Sequence, residues 1–346
     1  KDIAFINTVC LNSMRYYFHC IKIINLYAKK KCKLHENILL SSAITQLVFL
    51  GFKDYAVIDC SVKVAKKLNI YHGFINAILK KIRNDKVNLK KTKLEFYDLP
   101  EWFVQKTKYF TKTEKKLFLE TVLEEPSQHI VFKNNHKLKS FQYSLELTSD
   151  VSGFLKEKIN VTKISSYSEG YWWVQDFSSS FPLINIKNDL LKGKCIDLCS
   201  APGGKAFQIL SKNKKIQLND ISSKRIKVLQ DNLQRLNLNA YITNNDFLKF
   251  KTNNKYDFIV LDAPCSAIGT IRKNPEIFFK SKGPNFKKLI SLQKSMLSKA
   301  CELLETNGVI LFMVCSFLKN ETLDNVSEFL DNNQNFAINK FYLNNT

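Results

Sequence analysis

From about residue 190 onward, short continuous apolar runs alternate with amphipathic stretches, and that rhythm leaves few folds open. The runs are Cys195–Leu198, Ile216–Leu218, Tyr241–Thr243, Phe258–Leu261 and Val309–Val314. Helices are expected near 204–212, 222–236 and 285–306. The second of these places Ile226, Leu229, Leu233 and Leu236 on one face, with Ser222 or Ser223 as its cap. Strands that are apolar throughout are buried on both faces, so the pattern predicts a doubly wound, mostly parallel sheet. No internal repeat is present.

In such sheets ligands bind beyond the carboxyl ends of the strands. The conspicuous residues all fall there. They are Cys199-Ser200-Ala201-Pro202-Gly203-Gly204-Lys205 after the first strand, Asp220 after the second and Asp246 after the third. Asp262-Ala263-Pro264-Cys265-Ser266 follows the fourth and Cys315-Ser316 the fifth. The glycines let backbone approach a ligand closely, and the helix that follows offers free amides. A P-loop is excluded, because Ala206 follows Lys205 where Ser or Thr is required. Asp220 stands about twenty residues beyond the loop, where an acid accepts bonds from ribose hydroxyls. Its other reading, as a helix cap before Ser222, carries similar weight on its own. Together these features point to an adenosine compound held without a pyrophosphate motif. The acids Asp220, Asp246 and Asp262 favour a cationic one, and S-adenosylmethionine carries a sulfonium and an ammonium.

Residues 1–83 show helical periodicity without strand-like alternation, for example at Ile44, Leu47-Val48, Val57-Ile58, Val62, Ala65, Ile75, Ile78-Leu79 and Ile82. Residues 84–97 are polar and basic and read as a linker. Residues 98–170 read as mixed, with a helix near Thr113–Glu124, a strand at Ile130–Phe132 and a helix near Val151–Ile159. The net charge of +22 points to a polyanionic partner, nucleic acid first. Abundant Lys, Asn and Ile throughout offer a plainer account, a solvated surface from an AT-rich coding sequence. Nine cysteines without a CxxC pair argue against a cysteine zinc site and suit free thiols in a reducing cytoplasm. No histidine follows His136, which removes Ser-His, Cys-His and His-zinc chemistry from the C-terminal half by itself. No metal, no membrane span and a monomer are expected. The chain begins without Met, and a fragment is expected.

The strand-end residues closely resemble the RNA 5-cytosine methyltransferases of the Nop2/Sun family over about residues 95–345. Their first motif, Asp-x-Cys-Ala-Ala-Pro-Gly-Gly-Lys-Thr, reads here Asp197-Leu198-Cys199-Ser200-Ala201-Pro202-Gly203-Gly204-Lys205-Ala206. The fourth runs from Asp262 through Ser266 to Gly269, Arg272 and Pro275. The sixth is Val314-Cys315-Ser316 with Asn320-Glu321 downstream, and a Val-Gln-Asp segment is present at 174–176. Residues 73–82, with 56–67 before them, resemble the NusB-like RNA-binding domain of the bacterial ribosomal branch, and its first helix is expected to be missing. Ser200, Ala206 and Val314 depart mildly from the motifs. The family's Leu-Arg-Val-Asn strand is poorly kept near His129, and its final Asp-Gly-Phe-Phe strand is absent, so the sheet is expected to lack a last strand or two.

The resemblance implies an all-α NusB-like domain (1–83), a linker (84–97), a small mixed subdomain (98–170) and a Rossmann-like class I methyltransferase domain (171–346). It implies transfer of a methyl group from S-adenosylmethionine to carbon 5 of a cytosine in small-subunit rRNA. Cys315 would attack carbon 6, Cys265 would assist release, and Asp262 would hold the ring nitrogen and amine. The two cysteines lie at neighbouring strand ends whichever attacks, and DNA enzymes use the fourth-motif cysteine, so Cys265 is the alternative nucleophile. Lys205 would lower a nearby thiol pKa. The other function classes are a tRNA enzyme of the same family and a non-catalytic RNA-binding assembly factor. Trp172-Trp173, Lys224, Arg225, Lys227 and Arg235 are weaker RNA-contact candidates, with packing and a solvated helix face as their plainer readings.

Overall fold

The computed structural model describes residues 2–157 and 159–339. The last seven positions of the expected methyltransferase domain, 340–346, lie outside the described residues. The chain divides into two compact units, Lys1–Glu125 with Ile268–Pro284, and Pro126–Ala267 with Asn285–Thr346.

The first unit is helical. Helices Asp2–Arg15, Tyr17–Tyr27, Leu34–Ile44, Asp54–Lys67 and His72–Leu89 pack around Ile23, Ile24, Leu40, Ile44, Ile75, Leu79 and Ile82. The linker reading of 84–97 needs correction here. Residues 84–89 are the last turns of His72–Leu89, and Leu89 and Leu94 are both buried. Polar composition misled because Arg83, Asn84 and Asn88 lie on the exposed face of a helix whose inner face carries Ile82 and Leu89. The segment Ile268–Pro284 is also built into this unit. Phe278 packs edge-on against Phe103 at 5.2 Å and Phe18 at 5.8 Å, and Arg15 donates to the Arg272 carbonyl at 2.8 Å.

The second unit contains two sheets. Strands β1 (His129–Phe132), β2 (Leu145–Ser149), β3 (Ser152–Leu155) and β4 (Trp172–Val174) form an antiparallel sheet of order β2-β3-β1-β4. The helix expected near Val151–Ile159 is therefore replaced by β3. Gly153 disfavours a helix, and the strand pairs with both β1 and β2, the latter across a tight hairpin. Trp172 and Trp173 are buried in this unit and offer no face to a base.

Strands β5 (Cys195–Asp197), β6 (Gln217–Asn219), β7 (Ile242–Thr243), β8 (Tyr256–Asp262) and β9 (Leu304–Met313) form the second sheet. Its order is β7-β6-β5-β8-β9 and every pairing is parallel. Helices Phe177–Ile184, Gly204–Ser211, Ser223–Arg235, Phe286–Glu302 and Leu323–Asn332 are the longer helices of the unit among the described residues. Along β8 the side chains alternate between two cores. Phe258 and Val260 join Phe207, Leu229 and Leu233, while Ile259 and Leu261 join Met296, Leu297 and Ala300. This double burial is why the strand is apolar at every central position. The order reverses at β5, between β6 and β8, which places a crevice at the carboxyl ends of β5 and β8.

The 268–284 segment gives a stability test. Phe278→Ala should destabilise the protein by about 3–5 kcal/mol, measured by urea denaturation. A loss below about 1 kcal/mol would mean that this segment is not part of the helical core.

Candidate active site

The rim is assembled by the ends of the five parallel strands. Gly203, at φ +114°, ends the loop after β5 and opens the helix Gly204–Ser211. A Cβ there would lie 2.1 Å from the Phe207 ring, so only glycine fits. Ser200 is tied to the end of β6, its amide and hydroxyl both donating to the Asn219 carbonyl at 2.9 and 3.1 Å. Asn219 in turn donates to the Leu198 and Asn245 carbonyls at 3.2 and 3.1 Å. One buried amide thus links three strand ends.

Asp220 is buried, and both of its oxygens are engaged. Oδ2 accepts the Ala201 amide at 3.1 Å and Oδ1 the Ser222 amide at 2.9 Å. The cap itself is Ser222, whose hydroxyl accepts the Arg225 amide. Arg225 also donates to the Ala201 carbonyl and lies 3.5 Å from Asp220 Oδ2. Arg235 donates to the Tyr167 and Trp172 carbonyls at 2.9 and 3.0 Å. Of the basic residues considered for RNA contact, Arg225 and Arg235 are therefore committed to internal bonds. Asp246 caps the short turn after β7, its Oδ1 accepting the Leu248 amide at 3.2 Å.

At the crevice between β5 and β8, Lys205 donates to Asp262 Oδ2 at 2.5 Å and to Ser179 Oγ at 3.0 Å. Lys205 is buried, and its single charge faces Asp262 and the fully buried Asp197. The sequence alone does not single out Asp197 as a site residue, although it ends its strand and opens the glycine loop. Its Oδ1 accepts the Cys199 amide at 3.2 Å, while Oδ2 has no hydrogen-bond partner among the described residues. Burial pushes the Asp197 carboxyl up to about 7, Lys205 opposes this, and Asp262 and Asp220 add to it. Burial and the same acids push the Cys199 thiol far above its ordinary range, so its sulfur is inert.

Cys265 and Cys315 meet at the ends of β8 and β9. The Cys315 amide donates to Cys265 Sγ at 3.2 Å. The two thiols also interact, and the Cys265 S–H holds Cys315 below the ordinary thiol value against the opposing effects of burial and Asp262. Lys205 pulls Cys315 in the same direction. Donation to Cys315 and burial hold Cys265 high. Within the pair, Cys315 lies below and Cys265 above the ordinary thiol value. Cys195 and Cys301 are both raised by burial, Cys301 to about 11.

Sequence reasoning also missed the surroundings of Cys265. Glu321 is fully buried and accepts the Ser266 amide at 2.8 Å and the Ser266 hydroxyl at 2.5 Å. Its presence in the sixth motif was the only available signal.

Residues 185–346 match the family described as 16S rRNA methyltransferase RsmB/F, and residues 1–84 match the NusB family. The chain is 27% identical to the ribosomal RNA small subunit methyltransferase B of Shewanella oneidensis, over 95% of this chain and 82% of that protein. It is 33% identical to the protein of the same name from Photorhabdus laumondii, over 49% of this chain and 41% of that one. The crystal structure of PH0851 shares the fold at TM-score 0.70 and 20% identity, covering 95% of this chain and 80% of that one. No helix among the described residues is long and apolar enough to cross a membrane.

Two measurements test the electrostatics. Alkylation of Cys315, followed by mass spectrometry against pH, should give a midpoint below the free-cysteine value of about 8.5. Cys265→Ala removes the S–H donor and should raise that midpoint; an unchanged value would refute the coupling. The second concerns Asp197, whose folded pKa of about 7 exceeds the ordinary 3.8. The folded state then holds a proton that the unfolded state has lost, so this group's stabilising contribution falls as pH rises between those values. Relative to wild type, Asp197→Asn should become more stable from about pH 4 to about pH 7, by on the order of 1–4 kcal/mol. Parallel stability curves for the two proteins would contradict the assignment.

Proposed function

Because the chain carries a domain of the 16S rRNA methyltransferase RsmB/F family behind a NusB-family domain, we propose that it methylates carbon 5 of a cytosine in small-subunit rRNA, with S-adenosylmethionine as donor and Cys315 as nucleophile. The observation that carries this reading is the meeting of Cys265 and Cys315, joined by an amide–sulfur bond of 3.2 Å, on the rim that also holds Lys205 and Asp262.

The rim suits the donor. Asp262 pairs with Lys205, Asp220 with Arg225 and Asp246 with Lys249, which leaves the buried Asp197 without an ion pair among the described residues, and a ligand with positive charge would relieve it. The unpartnered Asp197 Oδ2 is an acceptor for such a ligand, and burial has already removed its water. The loop 199–205, Asp220 and Asp246 would hold the nucleoside and amino-acid parts. Asp220 already holds the loop through Ala201, so it would present the loop to the ligand as well as contact it. When bound, the donor supplies an electrophilic methyl group.

Carbon 5 of cytosine is too poor a nucleophile to take that methyl directly. Addition of the Cys315 thiolate to carbon 6 breaks the aromaticity and makes carbon 5 enamine-like. Carbon 5 would then take the methyl group as the methyl–sulfur bond of the donor breaks and its electron pair stays on the sulfur. The carbon 5 proton passes to a water molecule acting as base, the electron pair of that carbon–hydrogen bond re-forms the carbon 5–carbon 6 double bond, and Cys315 departs with the electron pair of the carbon–sulfur bond while the Cys265 S–H donates to the departing thiolate. A depressed Cys315 and an elevated Cys265 fit this division of labour. Asp262 would hold the ring nitrogen and exocyclic amine of the base, with Lys205 orienting it at 2.5 Å. The base must leave its stack to reach the rim, and the excess positive charge of the chain suits an RNA substrate.

RNA carrying 5-fluorocytosine tests the roles, because fluorine blocks release and traps the adduct. Wild type and Cys265→Ala should both form the covalent complex on a denaturing gel, and Cys315→Ala should form none. Trapping by Cys315→Ala but not by Cys265→Ala would reverse the assignment.

A further inference from the structure

The side chains behind Cys265 form a closed bracket around it. On one side, Gln293 Nε2 donates to the Pro264 carbonyl at 2.9 Å. On the other, Glu321 accepts the Ser266 amide at 2.8 Å and the Ser266 hydroxyl at 2.5 Å. The two arms join, because Gln293 Nε2 also donates to Glu321 Oε1 at 3.3 Å. Asn325 donates to Gln293 Oε1 at 3.0 Å and sets which way that amide faces. Gln293 comes from the helix Phe286–Glu302, Glu321 from the turn Lys319–Glu321, and Asn325 from the helix Leu323–Asn332. Gln293 and Glu321 are fully buried and Asn325 nearly so.

A buried carboxylate and two buried amides are costly where apolar packing would serve. Here the bonds of Glu321 go to Gln293 and to Ser266, the residue after Cys265. Together with Gln293 it fastens the peptide groups on both sides of that cysteine. Cys265 in turn receives the Cys315 amide, so a shift of the loop changes the distance between the two sulfurs.

We propose that Glu321, acting with Gln293, is a positioning residue that holds Cys265 in register with Cys315 and thereby governs the release half of the reaction. This rests on the methyltransferase reading above. Glu321 bonds the backbone beside Cys265 and its charge raises that thiol, but it is not itself a catalytic residue. Loss of the bracket loosens the contact between Cys265 and Cys315, so it slows the attack on carbon 6 only as far as the thiolate fraction of Cys315 falls, whereas departure of Cys315, and with it loss of the carbon 5 proton, is impaired directly.

The test compares wild type, Glu321→Ala, Glu321→Gln and Gln293→Ala on ordinary cytidine RNA and on 5-fluorocytidine RNA. S-adenosylmethionine affinity, measured by calorimetry, reports folding. On ordinary RNA, Glu321→Ala should lower multiple turnover by about 10- to 100-fold and accumulate the covalent RNA–protein complex. On fluorinated RNA, assayed at a pH above the free-cysteine value of about 8.5 so that Cys315 is a thiolate in every variant, its rate of adduct formation should stay within about 3-fold of wild type. Glu321→Gln keeps an acceptor for Ser266 and should recover part of the turnover. If Glu321→Ala loses cofactor binding, Glu321→Gln and Gln293→Ala must still show the accumulated complex. Unchanged turnover overturns the proposal, and so does a parallel fall of adduct formation and turnover. Failure of wild type to form any adduct would instead sink the methyltransferase reading beneath it.

Discussion

The rim depends on the parallel pairing of β5 with β8. Ile196 lies opposite Ile259 and Asp197 opposite Val260, so the two central strands run out side by side. Both are buried on each face, and neither can slip by one residue without exchanging its two cores. The register therefore sets Asp197 near Asp262, and Lys205 pairs with Asp262 while its charge also acts on Asp197. The same pairing carried across to β9 brings Met313 opposite Asp262. Cys315 follows just beyond that strand end, and it reaches Cys265.

The electrostatics of the rim follow from this packing. Carboxylates gathered at the ends of buried strands cannot all be solvated. One, Asp220, is satisfied by backbone amides, and another, Asp262, by Lys205. Asp197 keeps an oxygen without a partner among the described residues and a raised pKa. The cost of collecting and drying these acids is met by the fold. The lysine that screens Asp262 also favours the thiolate of Cys315, so one side chain serves both the acids and the sulfur.

Much of this is legible in the residues themselves. Apolar runs with no polar position announce strands with two buried faces, and the helix Ser223–Arg235 falls where its apolar face and serine cap place it. Periodicity fails where an element is short. Ser152–Leu155 looks like part of a helix until its pairing with two neighbours is known, because so short a segment carries too little pattern and its hydrogen bonds are made to residues outside it. It fails again at 84–89, where the outward face of a helix is indistinguishable in composition from a linker.

The order of elements, the glycine loop, the acids at strand ends and the presence of two candidate thiols are local properties, written in the spacing of side chains along the chain, and they can be read without a fold. Other features settle only when the chain is folded. Among them are which oxygen of Asp220 meets which amide, the oxygen of Asp197 left without a partner, and the bond that ties Ser266 to Glu321 across 55 residues. They depend on distances between groups far apart in the chain, and burial then fixes how strongly those groups act on each other. For the same reason the two cysteines are equivalent candidates in sequence. Their surroundings become unequal only in the fold, where Lys205 acts on Cys315 and the Cys315 amide donates to the Cys265 sulfur.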